Sequence, residues 1–342
     1  MDPDFVLVVV IVLVALGFDF INGFHDAANS IATIVATRVL SPFQAVLWAA
    51  FFNFAAVFII GTGVAKTVGS GMVNLNIVTP KVILAGLIGA IAWDLLTWWW
   101  GLPTSSSHAL MGGYAGAAMM KVSMTIGPSH MFEALILSGW YKTVAFIFVA
   151  PFIGMFVAYV LMIAVYWGFR NSSPKNMDVW FRRLQLASSA LLSFSHGGND
   201  AQKTAGIITG VLFSAKMLDV FEVPGWVLWS AYLAIGIGTM SGGWRIVHTR
   251  GGRLTRLKPR SGFCAESAAA IAILFATEAL RLPVSTTHVT AGAIAGVGSI
   301  QRLKAVRWGV AGSIIQAWIM TIPASALVGA VAMAIIITFF GA

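Results

Sequence analysis

The sequence predicts an all-α polytopic membrane protein made of two inverted-topology repeats, with about ten transmembrane helices, two short re-entrant hairpins and broken helices at the midplane. Three observations predict it. Of the 342 residues, 58% are apolar and 10% charged, and the mean hydropathy is +0.87, which does not describe a surface facing water. Apolar stretches recur along the chain, mostly near the roughly 20 residues that a spanning helix needs. The chain also repeats itself: NGFHDAANSIAT at 22–33 answers HGGNDAQKTAGI at 196–207, and LPTSSSH at 102–108 answers LPVSTTH at 282–288. The first pair sets Asp26 on Asp200 at an offset of 174 residues, and the second sets Pro103 on Pro283 and His108 on His288 at 180. The order A, B, A, B is that of a transporter built from internal repeats.

The stretch 5–20 follows Asp2 and Asp4, where a secretory signal would carry Lys or Arg, and runs into motif A instead of a cleavage site. It reads as the first transmembrane helix. Further candidates are 43–64, 82–100, 132–150, 152–168, 184–195, 226–240, 263–280, 305–322 and 324–340. Gly112, Gly113 and Gly292 suit close helix approach in a bilayer. Cys264, the single cysteine, excludes an intrachain disulfide. The expected division is an N-terminal repeat at 1–170, a cytoplasmic linker at 171–183 and an inverted C-terminal repeat at 184–342.

A net charge of +9 could suggest nucleic acid, but nearly uncharged spans with basic cytoplasmic loops give the same balance. Arg245, Arg250, Arg253, Arg256, Lys258 and Arg260 crowd one loop, and Arg170, Lys175, Arg182 and Arg183 flank the linker, without aromatics interleaved for base stacking. The equivalent of 245–260 in the first half, about 62–81, holds only Lys66 and Lys81. Equivalent loops therefore face opposite sides, which requires an odd number of crossings per repeat. With 103–120 and 283–298 as re-entrant hairpins, both termini are extracytoplasmic, and Arg302, Lys304 and Arg307 lie outside, against the charge rule. If those segments cross, and one long helix follows each, the three residues return to the cytoplasm.

Ionisable groups inside a membrane mark function, since a charge at a helix centre costs about 2.5–3.5 kcal/mol even on insertion scales. Asp26 lies in a polar run with Asn22, His25, Asn29 and Ser30; Asp200 lies with His196, Asn199, Lys203 and Thr204. Gly23 and Gly197–Gly198 are expected to let each helix unwind, so that carbonyls, carboxylate, amide and hydroxyl oxygens surround a hard monovalent cation. Sodium suits this shell, and so does a proton on Asp or His. In motif B, Pro103 and Pro283 suit helix starts. Two such N-termini would add their free N–H groups to donors from Thr104, Ser105, Ser106, Ser107, Ser285, Thr286 and Thr287, forming a cradle for a tetrahedral oxyanion. Plain N-capping is the alternative. His108 and His288 follow directly, as part of the site or as residues that orient the turn.

These motifs resemble the PiT class of inorganic phosphate transporters, solute carrier family 20 in animals, over most of the chain. The runs Gly23 to Ser30 and Gly197 to Thr204 look like its bacterial low-affinity branch. The resemblance implies a cation site at Asp26, Asn29, Asn199 and Asp200, to which the polar runs add Asn22 and Thr204. It implies a phosphate site at Ser105, Ser106, Ser107, Ser285, Thr286 and Thr287, with His196 near it. His25 departs from the usual Asn, and Asn53 from a Glu whose second-half counterpart resembles Glu266; these changes bear on coupling or gating, and His25 favours protons. Lys203 also departs, replacing the neutral residue opposite Asn29. It would neutralise phosphate, stand in for one cation or pair with Asp200. Asp94, Glu133, Lys142 and Glu278 have weaker structural or gating assignments, and Asp19 is a marginal candidate one turn before motif A.

The function expected is sodium-coupled phosphate symport by a multi-pass cell-membrane protein, with no cofactor other than coupling ions. Partners are phosphate, sodium, the lipid bilayer and a second copy in a homodimer. Proton coupling, carriage of phosphate as a metal complex and a sulfate permease remain alternatives. An enzyme is not expected: Ser107 and His108 are adjacent on one helix start, pointing about 100° apart, whereas a nucleophile meets its base from another element. A passive anion channel is opposed only by the paired carboxylates. No GxxxxGK[ST] loop supports ATP-driven transport.

Overall fold

The structure, a computed structural model, describes residues 3–244, 246, 255–301 and 306–341. Its helices are α1 (Pro3–Ala36), α2 (Pro42–Ala55), α3 (Gly63–Ser70), α4 (Pro80–Trp100), α5 (Ser106–Thr125), α6 (Leu137–Gly168), α7 (Pro174–Ser214), α8 (Gly225–Ser241), α9 (Pro259–Leu274), α10 (Thr286–Gln301) and α11 (Trp308–Phe340). Short 3₁₀ turns follow α2 and precede α6, and a π turn, Phe275–Ala279, extends α9. Ser41, Ser105 and Ser173 cap α2, α5 and α7 with their hydroxyls, satisfying N–H groups that a helix start leaves unpaired.

Three features differ from the sequence expectation. Stretches 132–150 and 152–168 fuse into α6 across Pro151, and 305–322 and 324–340 fuse into α11 across Pro323. Proline removes one hydrogen bond, but surrounding helices and the absence of competing water let a membrane helix continue through it. Among the described residues, five helices are long and apolar enough to cross a membrane, and α2 with α3, bent by 88° at their break, makes a sixth. Much of the segment read as a linker, 171–183, is the opening of α7. Motif A is not unwound either: α1 and α7 run unbroken through it for 34 and 41 residues. The interruptions lie at motif B, where extended residues separate α4 from α5 and α9 from α10.

The motif A glycines serve close packing instead. A Cβ on Gly23 would strike the backbone of Ile235 and Thr239, and one on Gly197 the backbone of Asn53. Gly116 lies against the Ala326 carbonyl, and Gly292 against that of Pro151. Gly292→Val is therefore expected to destabilise the α6–α10 contact by about 1–3 kcal/mol, seen as a lower unfolding temperature in detergent. An unchanged temperature would show that the helices have room.

The two motif A helices run antiparallel. Arg182, near the start of α7, donates to the Arg38 carbonyl just beyond α1 (2.9 Å), so the end of one motif A helix meets the start of the other. At the opposite end, Lys81 in the first turn of α4 donates to the carbonyls of Phe340 and Gly341 (2.8 and 3.1 Å). The last helix of each half packs on the motif B helix of the other: α6 on α10, and α11 on α5 and α4. Two apolar clusters, one around Val64, Leu87, Leu110 and Ile208 and one around Ala269, Ile273, Ile294 and Val297, flank the polar centre.

Candidate functional site

The two motif A runs meet the two motif B starts at a point where every polar side chain is buried. Asp26, Asn29, Asn199, Asp200 and Lys203 are at most 3% exposed, as are Thr104 to Ser107 and Ser285 to Thr287. Oxygen and nitrogen atoms of Asp26, His196 and Asp200 lie within 4.8 Å of one another, which brings the two repeats' carboxylates together as the sequence expected. Asp26 accepts from or pairs with His25 Nδ1 (3.0 Å), and His196 Nε2 stands 3.2 Å from Asp200 Oδ2.

Contacts to motif B cross between repeats. Asn29 on α1 donates to the Thr286 and Thr287 hydroxyls of the second half (3.2 and 3.0 Å). Its equivalent, Lys203 on α7, donates to the Ser107 hydroxyl of the first half, to Asp200 Oδ1, and to the Val284 carbonyl (3.0 Å). Lys203 thus does pair with Asp200 and also ties both motif B segments to it. Ser105 and Ser285 accept from the backbone N–H of His108 and His288 (3.3 and 3.2 Å). As lone-pair acceptors they are therefore N-caps, keeping their protons as donors. His108 and His288 stack with ring centroids 4.8 Å apart, and the Trp318 ring meets His288 while its indole N–H donates to the Pro103 carbonyl (3.1 Å).

Some partners escaped the sequence reading. His25 Nε2 meets Thr97 Oγ1 (3.1 Å), and its repeat equivalent Asn199 donates to Thr277 (2.7 Å). Thr97 and Thr277 each stand six residues before the motif B proline, a repeat signal that was there to be found. Thr104 donates to Thr97 (2.9 Å) and lies 3.5 Å from His25, and Ser106 lies 3.5 Å from the other ring nitrogen. Asp94 on α4 is buried near His25, Asp26 and Ser106.

Asn53 and Glu266 are not repeat counterparts. Asn53, on α2, donates to Thr239 of α8 (2.8 Å) and meets His196 Nδ1 (3.2 Å). Glu266, on α9, accepts from Thr33, Gln185 (2.9 Å) and Ser188 (2.6 Å), joining α1 to the start of α7. α9 leads directly into a motif B helix, as α4 does, whereas α2 follows a motif A helix, as α8 does. Of the basic loop, residues 245, 250 and 253, and likewise 302 and 304, lie outside the described residues.

Two opposed helix starts rich in hydroxyls can hold an oxyanion, and buried carboxylates with amide and hydroxyl neighbours can hold a hard cation beside it. Residues 22–329 match the phosphate transporter family. A relative from Rhizobium meliloti, described as a probable low-affinity inorganic phosphate transporter, is 52% identical over 95% of each chain. One from Bacillus subtilis with the same description is 41% identical over 99% of this chain and 100% of its own. A solved structure titled "The sodium-dependent phosphate transporter" has this fold, with a TM-score of 0.88 and 24% identity over 98% of this chain and 100% of that one.

Proposed function

We propose that this chain, which belongs to the phosphate transporter family, is a secondary symporter that carries inorganic phosphate with sodium. Family membership makes it a multi-pass membrane transporter of phosphate and not an enzyme. The cation and the residue roles are our reading. One observation carries it: the carboxylates of Asp26 and Asp200 and the starts of α5 and α10 converge on a single buried point, bridged by Asn29 and Lys203.

In this reading Ser106, Ser107, Thr286 and Thr287, with the N–H groups of α5 and α10, receive the phosphate. Ser105, Ser285 and Thr104 border it, and Lys203 adds positive charge. Asp26, with Asn29 and Asn199, holds sodium, and a bound cation makes the neighbourhood favourable to the anion. Antiparallel repeats give two equivalent gates of opposite sense, the geometric basis of alternating access. The buried tie of Glu266 to Thr33, Gln185 and Ser188 has no polar twin at the other end, where the residues at the motif A offset from Thr33 and Gln185 are Ile207 and Ile11. Opening at the Glu266 end therefore breaks these buried side-chain hydrogen bonds.

Arg38, Arg170, Arg182, Arg183, Arg260 and Arg307 gather at one end of the helices, which we assign to the cytoplasm. Arg182 reaches Arg38, and Arg260 lies over Tyr166 near the end of α6. Both termini then lie outside, with Gly341 held by Lys81. Arg307, opening the single long α11, returns to the cytoplasmic end.

The two His–Asp contacts, His25 with Asp26 and His196 with Asp200, favour protons as a second reading. Uptake of labelled phosphate into liposomes holding the purified protein, under separately imposed sodium and proton gradients with excess sulfate, decides. Accumulation driven by sodium and resistant to sulfate is expected. Accumulation driven only by protons would replace sodium with protons on these pairs.

A further inference from the structure

We infer that Asp19 is the carboxylate of a second sodium site, completed by Asn22 and Thr204, and that Lys203 has displaced this role from Asp200. The inference rests on the sodium-coupled reading and adds a site to it.

Asp19 is fully buried on α1, one turn before Asn22, and stands beside Thr204 of α7. Both its carboxylate oxygens lack a hydrogen-bond partner among the described residues, and so do Asn22 Oδ1 and Thr204 Oγ1, which are buried as well. Four oxygens from two helices of opposite repeats are thus gathered, and the donors beside the carboxylate, the Thr204 hydroxyl and the Asn22 amide, are neutral. A buried ionised carboxylate in that condition is strongly unfavourable unless something positive joins it. Lys203 is near enough to feel Asp19, but its three N–H donors are taken by Ser107, Asp200 and Val284. Carboxylate, amide and hydroxyl oxygens without nitrogen or sulfur select a hard cation. The single carboxylate suits a monovalent one, and sodium is the candidate that the transport reading supplies.

Repeat symmetry gives the same answer from the other side. Asp26 and Asp200 are equivalent, but Asp200 Oδ1 is held by an ammonium while the residue matching Lys203 next to Asp26 is a neutral amide, Asn29. The Asp200 side already carries a tethered positive charge. Asp19 has no acidic equivalent, since the offset of 174 places Ser193 there. The extra carboxylate and the extra lysine therefore lie within one neighbourhood, and with Asp200 they leave it one negative charge for a cation to balance.

The test measures sodium binding apart from transport. Unfolding temperature of the purified protein is followed against sodium concentration without phosphate, and the ratio of labelled sodium to labelled phosphate uptake is measured in liposomes. Asp19→Asn and Thr204→Val are each expected to raise the half-saturating sodium concentration at least tenfold, and Asp19→Asn to lower the flux ratio by about one sodium per phosphate. If both variants keep the sodium response of the unaltered protein, the Asp19 site is overturned and sodium coupling stands. If the unaltered protein shows no sodium response in either measurement, sodium coupling falls and this site falls with it. Should Asp19→Asn fail to fold, Thr204→Val decides alone.

Discussion

Lys203→Met is expected to lower the stability of the protein by about 3–5 kcal/mol, and Lys203→Met combined with Asp200→Asn to recover most of that loss. The lysine side chain is 2% exposed and its ammonium joins Asp200, Ser107 and Val284. Removing it leaves the Asp200 carboxylate buried beside His196 and the like-charged Asp26. Neutralising Asp200 as well removes the orphaned charge, so the two substitutions should couple strongly rather than add. A thermal unfolding series on the two single variants and the double variant measures the coupling. If the double variant is as unstable as the sum of the two, Lys203 matters for its packing and not for its charge. Sodium should also stabilise Lys203→Met more than the unaltered chain, because a mobile cation can then take the vacated place.

Asp26→Asn should reduce gradient-driven phosphate accumulation at least a hundredfold while sparing the fold. The amide keeps the shape of the carboxylate and removes a buried charge whose close contact is His25 (3.0 Å), so insertion and packing lose little. Coupling loses its charge partner. Accumulation against a gradient, compared with exchange of labelled for unlabelled phosphate at equilibrium, separates the two effects. Normal accumulation by a folded Asp26→Asn protein would remove Asp26 from the coupling site.

The polar centre was legible because two copies of each motif fix which residues share a location. Asp26 beside Asp200, and Lys203 paired with Asp200, needed no tertiary information beyond repetition, whereas the approach of Asn29 to Thr286 and Thr287 appears only in the fold. Helix boundaries were less legible. Pro151 and Pro323 read as breaks by rules learned in water, yet the helices continue. Gly23 and Gly197 read as points of unwinding, yet they bring α1 to α8 and α7 to α2 at backbone contact. The Glu266 cluster could not be read at all. Thr33, Gln185, Ser188 and Glu266 come from three helices, and apart from Gln185 and Ser188, three apart on α7, no local spacing joins them. Asp19 drew little notice because the repeat gives it no twin.

Exchange of terminal helices sets an order on biosynthesis. The first half inserts before its own motif B helix has its lasting neighbour, since α5 waits for α11 and α6 waits for α10. Trp318 of α11, made long after the first half, supplies the indole that holds the carbonyl of Pro103. A ribosome that stops short of α11 therefore releases a chain whose earlier half is itself unfinished, with the first anion cradle lacking the helix that backs it.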